Sequence, residues 1–181
     1  KSYDLLKDHP VNKKREEKGL RPANSMWFWG EGIRKPLTPF MEKYGLRGSM
    51  ISAVDLLKGI AVGSGMTVYN VEGATGSIDT NYEGKAQAAI DSLLKEGCDF
   101  AYIHVEAPDE MTHAGKLPEK MEAIRRLDQR VIKPLLEKLP ELGDFRILLL
   151  SDHKTLMSTR THDGKPVPFA IYDSRKPGVA T

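Results

Sequence analysis

Short apolar runs separated by segments with helical spacing are what most restricts the fold open to this chain. MTVYNV (66–71) alternates and is rich in β-branched and aromatic residues, the pattern of a strand. From Tyr82 to Glu96 the apolar residues Ala86, Ala89, Ile90, Leu93 and Leu94 recur at helical spacing, and Gly97 supplies a C-terminal stop. FAYIHVE (100–106) reads as the next strand. Residues 120–139 then predict a long amphipathic helix with Met121, Ile124, Leu127, Val131, Leu135 and Leu139 along one side. RILLLS (146–151) is almost wholly apolar, as expected of a strand covered on both faces, and VPFAIYD (167–173) reads as a last strand. Strands alternating with helices imply an α/β fold: a mainly parallel sheet sandwiched between helices.

The remaining segments are less regular. Residues 1–24 are polar and broken by Pro10, Gly19 and Pro22, so a short helix followed by a surface excursion is expected, with His9 solvated. SMWFWG (25–30) reads as a buried strand, with Trp27 and Trp29 packing in a core or at a domain boundary. LTPFMEKYG holds a short helix, GSMISAV (48–54) leans to β, and DLLKGIAVGSG is helical up to its glycines. A chain of 181 residues that is 40% hydrophobic has material for one core. Its formal charge of +2 comes from scattered basic residues and leaves no nucleic-acid footprint. No apolar run approaches the roughly 20 residues of a membrane-spanning helix. The N-terminus lacks the parts of a signal peptide, and the single Cys98 cannot pair within the chain. A cytoplasmic location is the expectation, with neither nucleic acid nor membrane as partner. AVGSGMT lacks the Lys-Ser/Thr of a phosphate loop.

The polar clusters gather behind the strands, where open α/β sheets bind ligands. APDEMTHAG, after FAYIHVE, places Asp109 and His113 four residues apart; Asp152 and His153 follow RILLLS; and His162 lies in the loop before VPFAIYD. If strands 100–106 and 146–151 are parallel neighbours, one rim collects all five. Histidine nitrogens with carboxylate oxygens suit Mn²⁺, Zn²⁺, Co²⁺ or Fe²⁺ more than Ca²⁺. Five ligands exceed the need of one tetrahedral ion with an open position and fall short of saturating two, so an incomplete binuclear site fits best. Blander readings stay open: a helix N-cap for Asp109, a turn at Asp152-His153, and turn chemistry at Asp163-Gly164. His104 is expected to be a satisfied sheet histidine. Glu106 and Glu110 are either acceptors for histidine N–H groups or solvated, and Lys58 and Arg160 either meet an anionic substrate or are solvated.

SAVDLLKGIA, NYEGKAQAAI, HVEAPDEMTHAG, SDHKT and THDGKPVPF, in this order over nearly the whole chain, resemble the archaeal type of cofactor-independent (2,3-bisphosphoglycerate-independent) phosphoglycerate mutases of the alkaline phosphatase superfamily. The resemblance implies an alkaline-phosphatase-like fold with two divalent ions, manganese by expectation and Mg²⁺, Co²⁺ or Zn²⁺ as alternatives. It implies that Asp109, His113 and His162 hold one ion, and Asp152 and His153 the other. The implied reaction moves a phosphoryl group between the 3- and 2-hydroxyls of glycerate through a phosphoserine on the enzyme. Lys58 is similar in setting to a phosphate-contacting lysine of the family, and Lys154 stands where relatives often have proline. The family's N-terminal metal-binding Asp, its nucleophilic Ser and its inserted domain have no counterpart here, and Ser151 aligns with a position that is not the nucleophile. The chain is therefore expected to be a C-terminal part of the enzyme, inactive alone, with residues 1–24 leaving the inserted domain or forming a linker and 25–181 forming part of the catalytic domain. Two alternatives remain: another phosphatase, phosphonate hydrolase or phosphotransferase of the superfamily, and a non-enzymatic metal-binding domain.

Overall fold

The computed structural model describes residues 1–28, 30–33, 36–176 and 178, and its contacts divide the chain into residues 1–36 and 37–181. In the first unit, helix α1 spans Ser2–Leu6 and α2 spans Pro10–Glu17. Pro10 opens α2, where its missing N–H costs nothing, and the ring of His9 accepts from Val11 N at 3.3 Å, so this histidine caps a helix. Asn12 is buried and exchanges hydrogen bonds with Ala23, donating also to Leu6 O at 2.7 Å. The strand expected at 25–30 is not formed in the described residues: Trp27 and Phe28 are exposed coil at 87% and 86%, and Trp29 lies outside the described residues. An apolar run becomes a strand only where another strand takes its backbone groups.

The second unit begins with α3 (Phe40–Tyr44), β1 (Gly48–Ile51), α4 (Asp55–Gly63), β2 (Thr67–Tyr69), α5 (Tyr82–Leu94), β3 (Phe100–Ile103) and α6 (Ala107–His113). The three strands form a parallel sheet in the order β2-β1-β3, with Met50 opposite both Val68 and Tyr102. All four residues of β1 are buried, as its central place requires. Asn81 caps α5 by accepting from Gly84 N at 2.8 Å, and Gly97 turns the chain out of the helix at φ 69°, a backbone state that suits glycine. Ile51 of β1, with Tyr82, Ala86, Ala89 and Ile90 of α5, centres the core.

The region expected as one helix over 120–139 is broken. Helix α7 covers Leu117–Leu127, one π-turn covers Asp128–Ile132, α8 covers Lys133–Lys138, and a 3₁₀ turn follows to Leu142. Pro134 is the physical cause: it has no N–H for the carbonyl of Arg130 and its ring crowds that carbonyl. The ladder is shifted beside it, with Lys133 N–H reaching Asp128 O. The break preserves the apolar face, since Val131, Leu135 and Leu139 all remain in the core.

Two strand pairs complete the unit. β4 (Arg146–Leu150) pairs antiparallel with β7 (Phe169–Asp173), and β5 (Lys154–Leu156) pairs antiparallel with β6 (Thr161–Asp163). Among the described residues β4 is not hydrogen-bonded to β3, so the neighbouring arrangement expected from sequence is corrected. Nor is β4 covered on both faces: Leu148, Leu149 and Leu150 are 57%, 42% and 53% exposed, and Phe169 and Ile171 opposite them are exposed too. The overall class nonetheless stands, a parallel sheet with helices packed against it.

Candidate metal centre

Three segments bring the candidate ligands together. β3 runs out at Ile103, and after three intervening residues α6 (Ala107–His113) begins, with Pro108 near its start and Asp109 in its first turn. Residues 109 and 113, four apart, share one helix face, and His113 Nε2 lies 3.2 Å from Asp109 Oδ2. The second and third segments are the two arms of the β5–β6 hairpin, where sequence predicted only loop. Thr155 pairs with His162 across it, and His153 precedes Thr155 by two residues, so His153, Thr155 and His162 line one side.

The hairpin closes on α6. One ligand atom each from Asp109, His153 and His162 lies within 4.8 Å of the other two. His162 Nε2 is 3.5 Å from Asp109 Oδ1 and 3.1 Å from His113 Nε2. The rings of His153 and His162 stack at 3.7 Å. Asp152 stands at the edge, its Oδ2 3.4 Å from His153 Nε2. All five residues thus fall in one neighbourhood, although β3 and β4 are not paired.

Hydrogen bonds at the back of the rings decide what faces the centre. His113 Nδ1–H donates to Arg160 O at 2.8 Å, so its Nε2 turns a lone pair toward the Asp109 carboxylate and His162. Thr155 Oγ1 donates to Asp109 Oδ1 in a short hydrogen bond, and its remaining lone pairs accept His153 Nδ1–H at 3.2 Å. A carboxylate and imidazole lone pairs crowd one small volume, an arrangement that needs a shared proton or a cation to be stable. Ligands of a single ion stand roughly 3–4 Å apart, close to the spacing found, and the donor types fit a divalent transition metal.

The partners holding the rings are Arg160 O and Thr155, not Glu106 or Glu110, and sequence reasoning passed over Thr155. The signal was available in the two-residue step from His153, once the segment is read as extended. Arg160 is the one described non-glycine residue with positive φ, 55°, and its guanidinium lies against Gly115, where an added Cβ would come within 2.5 Å of Cζ. Glu106 is held above the usual carboxylate range by burial, with Glu110 and Asp109 adding to it. His104 sits just beyond β3, its N–H on Ile51 O at 2.9 Å and its Nδ1 3.3 Å from Ser52 Oγ; burial depresses its pKa. Lys58 lies on α4, its ammonium 3.8 Å from Asp55, and makes no ion pair or hydrogen bond with the five candidate ligands among the described residues.

Comparison with known proteins shows what the chain resembles. Residues 8–180 match the metalloenzyme superfamily. The 2,3-bisphosphoglycerate-independent phosphoglycerate mutase of Methanosarcina mazei is 49% identical over 174 residues, 96% of this chain and 43% of that protein. The enzyme of the same name from Methanothrix thermoacetophila is 50% identical over 171 residues, 94% of this chain and again 43% of the relative. Among solved structures, a Pyrococcus horikoshii protein superposes with a TM-score of 0.81 at 31% identity, covering 94% of this chain and 44% of its own. The cofactor-independent phosphoglycerate mutase of Thermoplasma acidophilum gives 0.56 at 26% identity, covering 95% and 39%. The chain spans well under half the length of these curated relatives.

Proposed function

The chain belongs to the metalloenzyme superfamily, and on that premise we propose that it forms part of a cofactor-independent phosphoglycerate mutase that interconverts 3- and 2-phosphoglycerate through a phosphoserine. The observation that carries the reading is the convergence of Asp109, His153 and His162 within 4.8 Å, with His113 and Asp152 against them. In this reading Asp109, His113 and His162 hold one divalent ion, and Asp152 and His153 hold the other. Manganese is the assignment, with Mg²⁺, Co²⁺ or Zn²⁺ as alternatives. Such ions, when bound, supply Lewis-acid stabilisation of the attacking and departing oxygens in phosphoryl transfer.

The chain's own residues do the holding. His113 keeps its proton on Nδ1 by donating to Arg160 O, and Thr155 orients both Asp109 and His153. Lys58, whose only ion-pair partner among the described residues is Asp55 at 3.8 Å, is assigned to an anionic group of the substrate. The serine nucleophile comes from a part of the protein outside this sequence. Among the described residues no helix is long and apolar enough to cross a membrane, and a cytoplasmic location with a small phosphorylated substrate completes the proposal.

The test is manganese-dependent conversion of 3- to 2-phosphoglycerate by the full-length protein. Conversion that His162→Ala abolishes, with the circular dichroism spectrum unchanged, is the expected result. Release of phosphate from simple esters without isomer interconversion would redirect the reading to a phosphatase. Metal binding without any phosphoryl transfer would sink the enzyme.

A further inference from the structure

A completely buried lysine lies on α5. Lys85 is 0% exposed, in a setting where lysine is rare unless paired. Among the described residues it has no ion pair within 4 Å; its ammonium donates instead to two backbone carbonyls, His104 O at 3.1 Å and Thr75 O at 3.4 Å. Burial lowers its pKa, and the charge of nearby Glu106 works against that shift.

The two carbonyls explain the position. His104 is the first residue after β3, and its own N–H is held by Ile51 O at 2.9 Å. From there the chain has only Val105 and Glu106 before α6 presents Asp109 and His113. Asp109 N and Glu110 N both bond to Glu106 O, at 2.9 and 3.2 Å, so the angle of the helix is set by this short connection. Thr75 lies in the loop between β2 and α5. Two residues meet there, since a Cβ added at Gly76 would overlap the Glu106 carboxylate. Lys85 therefore ties the strand end and the covering loop together directly beneath the launch of α6.

We propose that Lys85 is a positioning residue of the metal centre: its buried ammonium clamps His104 O and Thr75 O and so fixes the backbone from which α6 presents Asp109 and His113. The proposal rests on the metal reading of that site, and the experiment separates the two. In the full-length protein, Lys85→Met keeps most of the side-chain volume and removes both hydrogen bonds; Lys85→Gln retains a shorter donor, should the methionine variant fail to fold. Val131→Ala, a core truncation in the π-turn, controls for general loss of stability.

Two readouts decide. Calorimetric titration with Mn²⁺ should show affinity lowered about 10- to 100-fold, the usual effect of losing an outer support of metal ligands, with Val131→Ala close to wild type. Amide hydrogen exchange on the metal-free protein should be at least about tenfold faster at His104, Asp109 and Glu110 in the Lys85 variant than in the control, the scale of a net loss near one hydrogen bond. Equal exchange at those amides, or an affinity loss no larger than that of Val131→Ala, would overturn the proposal. A wild-type protein that binds no Mn²⁺ would count against the proposed function, and the exchange comparison would still decide the role of Lys85.

Discussion

Replacing Thr155 with valine removes one hydroxyl and keeps the side-chain shape, so it isolates the hydrogen bonds that tie two candidate ligands together. The hydroxyl donates to Asp109 Oδ1 and accepts His153 Nδ1–H. Without it, Asp109 loses a charge-assisted bond, and His153 is free to rotate and to shift its proton to Nε2, the nitrogen beside Asp152. A hydrogen bond to a charged group contributes about 1.5–3 kcal/mol. At about 1.4 kcal/mol per tenfold, the variant should bind divalent metal about 10- to 150-fold more weakly. Titration of the full-length protein with Mn²⁺, alongside thermal melting of the metal-free form, measures this. The metal-free form makes the bond to Asp109 as well, so its melting point should fall by several degrees while the variant stays folded, Thr155 lying in a three-residue strand outside the core cluster. Affinity within twofold of wild type in a folded variant would refute the argument that Thr155 organises the centre.

Two further predictions concern the scaffold. Gly59→Ala should raise the melting temperature, because nothing lies within 4 Å of the added Cβ and alanine is favoured over glycine in a helix by up to about 1 kcal/mol. Gly84→Ala should lower it: the new Cβ overlaps the Asn81 amide and comes within 2.7 Å of Val71 Cγ1, so the helix cap of about 1 kcal/mol is lost and overpacking adds about 1–3 kcal/mol. Paired calorimetric scans check both. The pH dependence should show the Glu122 carboxyl, held down to about 2 by its bonds to Arg125 and then Arg126. A depressed carboxylate stabilises the fold above its unfolded pKa near 4.5, and that contribution is lost as pH falls toward 2. Denaturant titrations from pH 5 to pH 2 should therefore decline less for Glu122→Gln than for wild type, by a margin that shrinks in high salt because the group is exposed.

The alternation of apolar runs with periodic segments made the parallel sheet and α5 legible, because burial on both faces and helical spacing leave direct marks in composition. Partnership leaves none. RILLLS reads as a strand whatever lies beside it, so neither its antiparallel pairing with β7 nor the exposure of Leu148 and Leu150 followed from the letters. SMWFWG shows the same gap from the other side: its described residues are apolar in part yet form no strand. Pro134 was visible, yet the apolar spacing continues through it, since the π-turn shifts hydrogen bonds while Val131 and Leu135 stay buried. At the candidate centre, residue types pointed to Asp109, His113, Asp152, His153 and His162. The hairpin that carries two of them was hidden because KTL and THD are three-residue strands with too little apolar alternation to register. Thr155 went unnoticed with it, and Lys85 because the meaning of a buried lysine lies in which carbonyls it reaches.

The central claim is that α6 and the β5–β6 hairpin together hold divalent metal. Its most direct test is anomalous diffraction at the manganese edge from crystals of the full-length protein grown with Mn²⁺. The account predicts a peak about 2.0–2.3 Å from Asp109 oxygen and from histidine nitrogens of this cluster, with a second peak roughly 3.5–4 Å away on the Asp152 and His153 side. A folded protein whose manganese peaks lie elsewhere, or which shows none at Asp109 and His162, would contradict it.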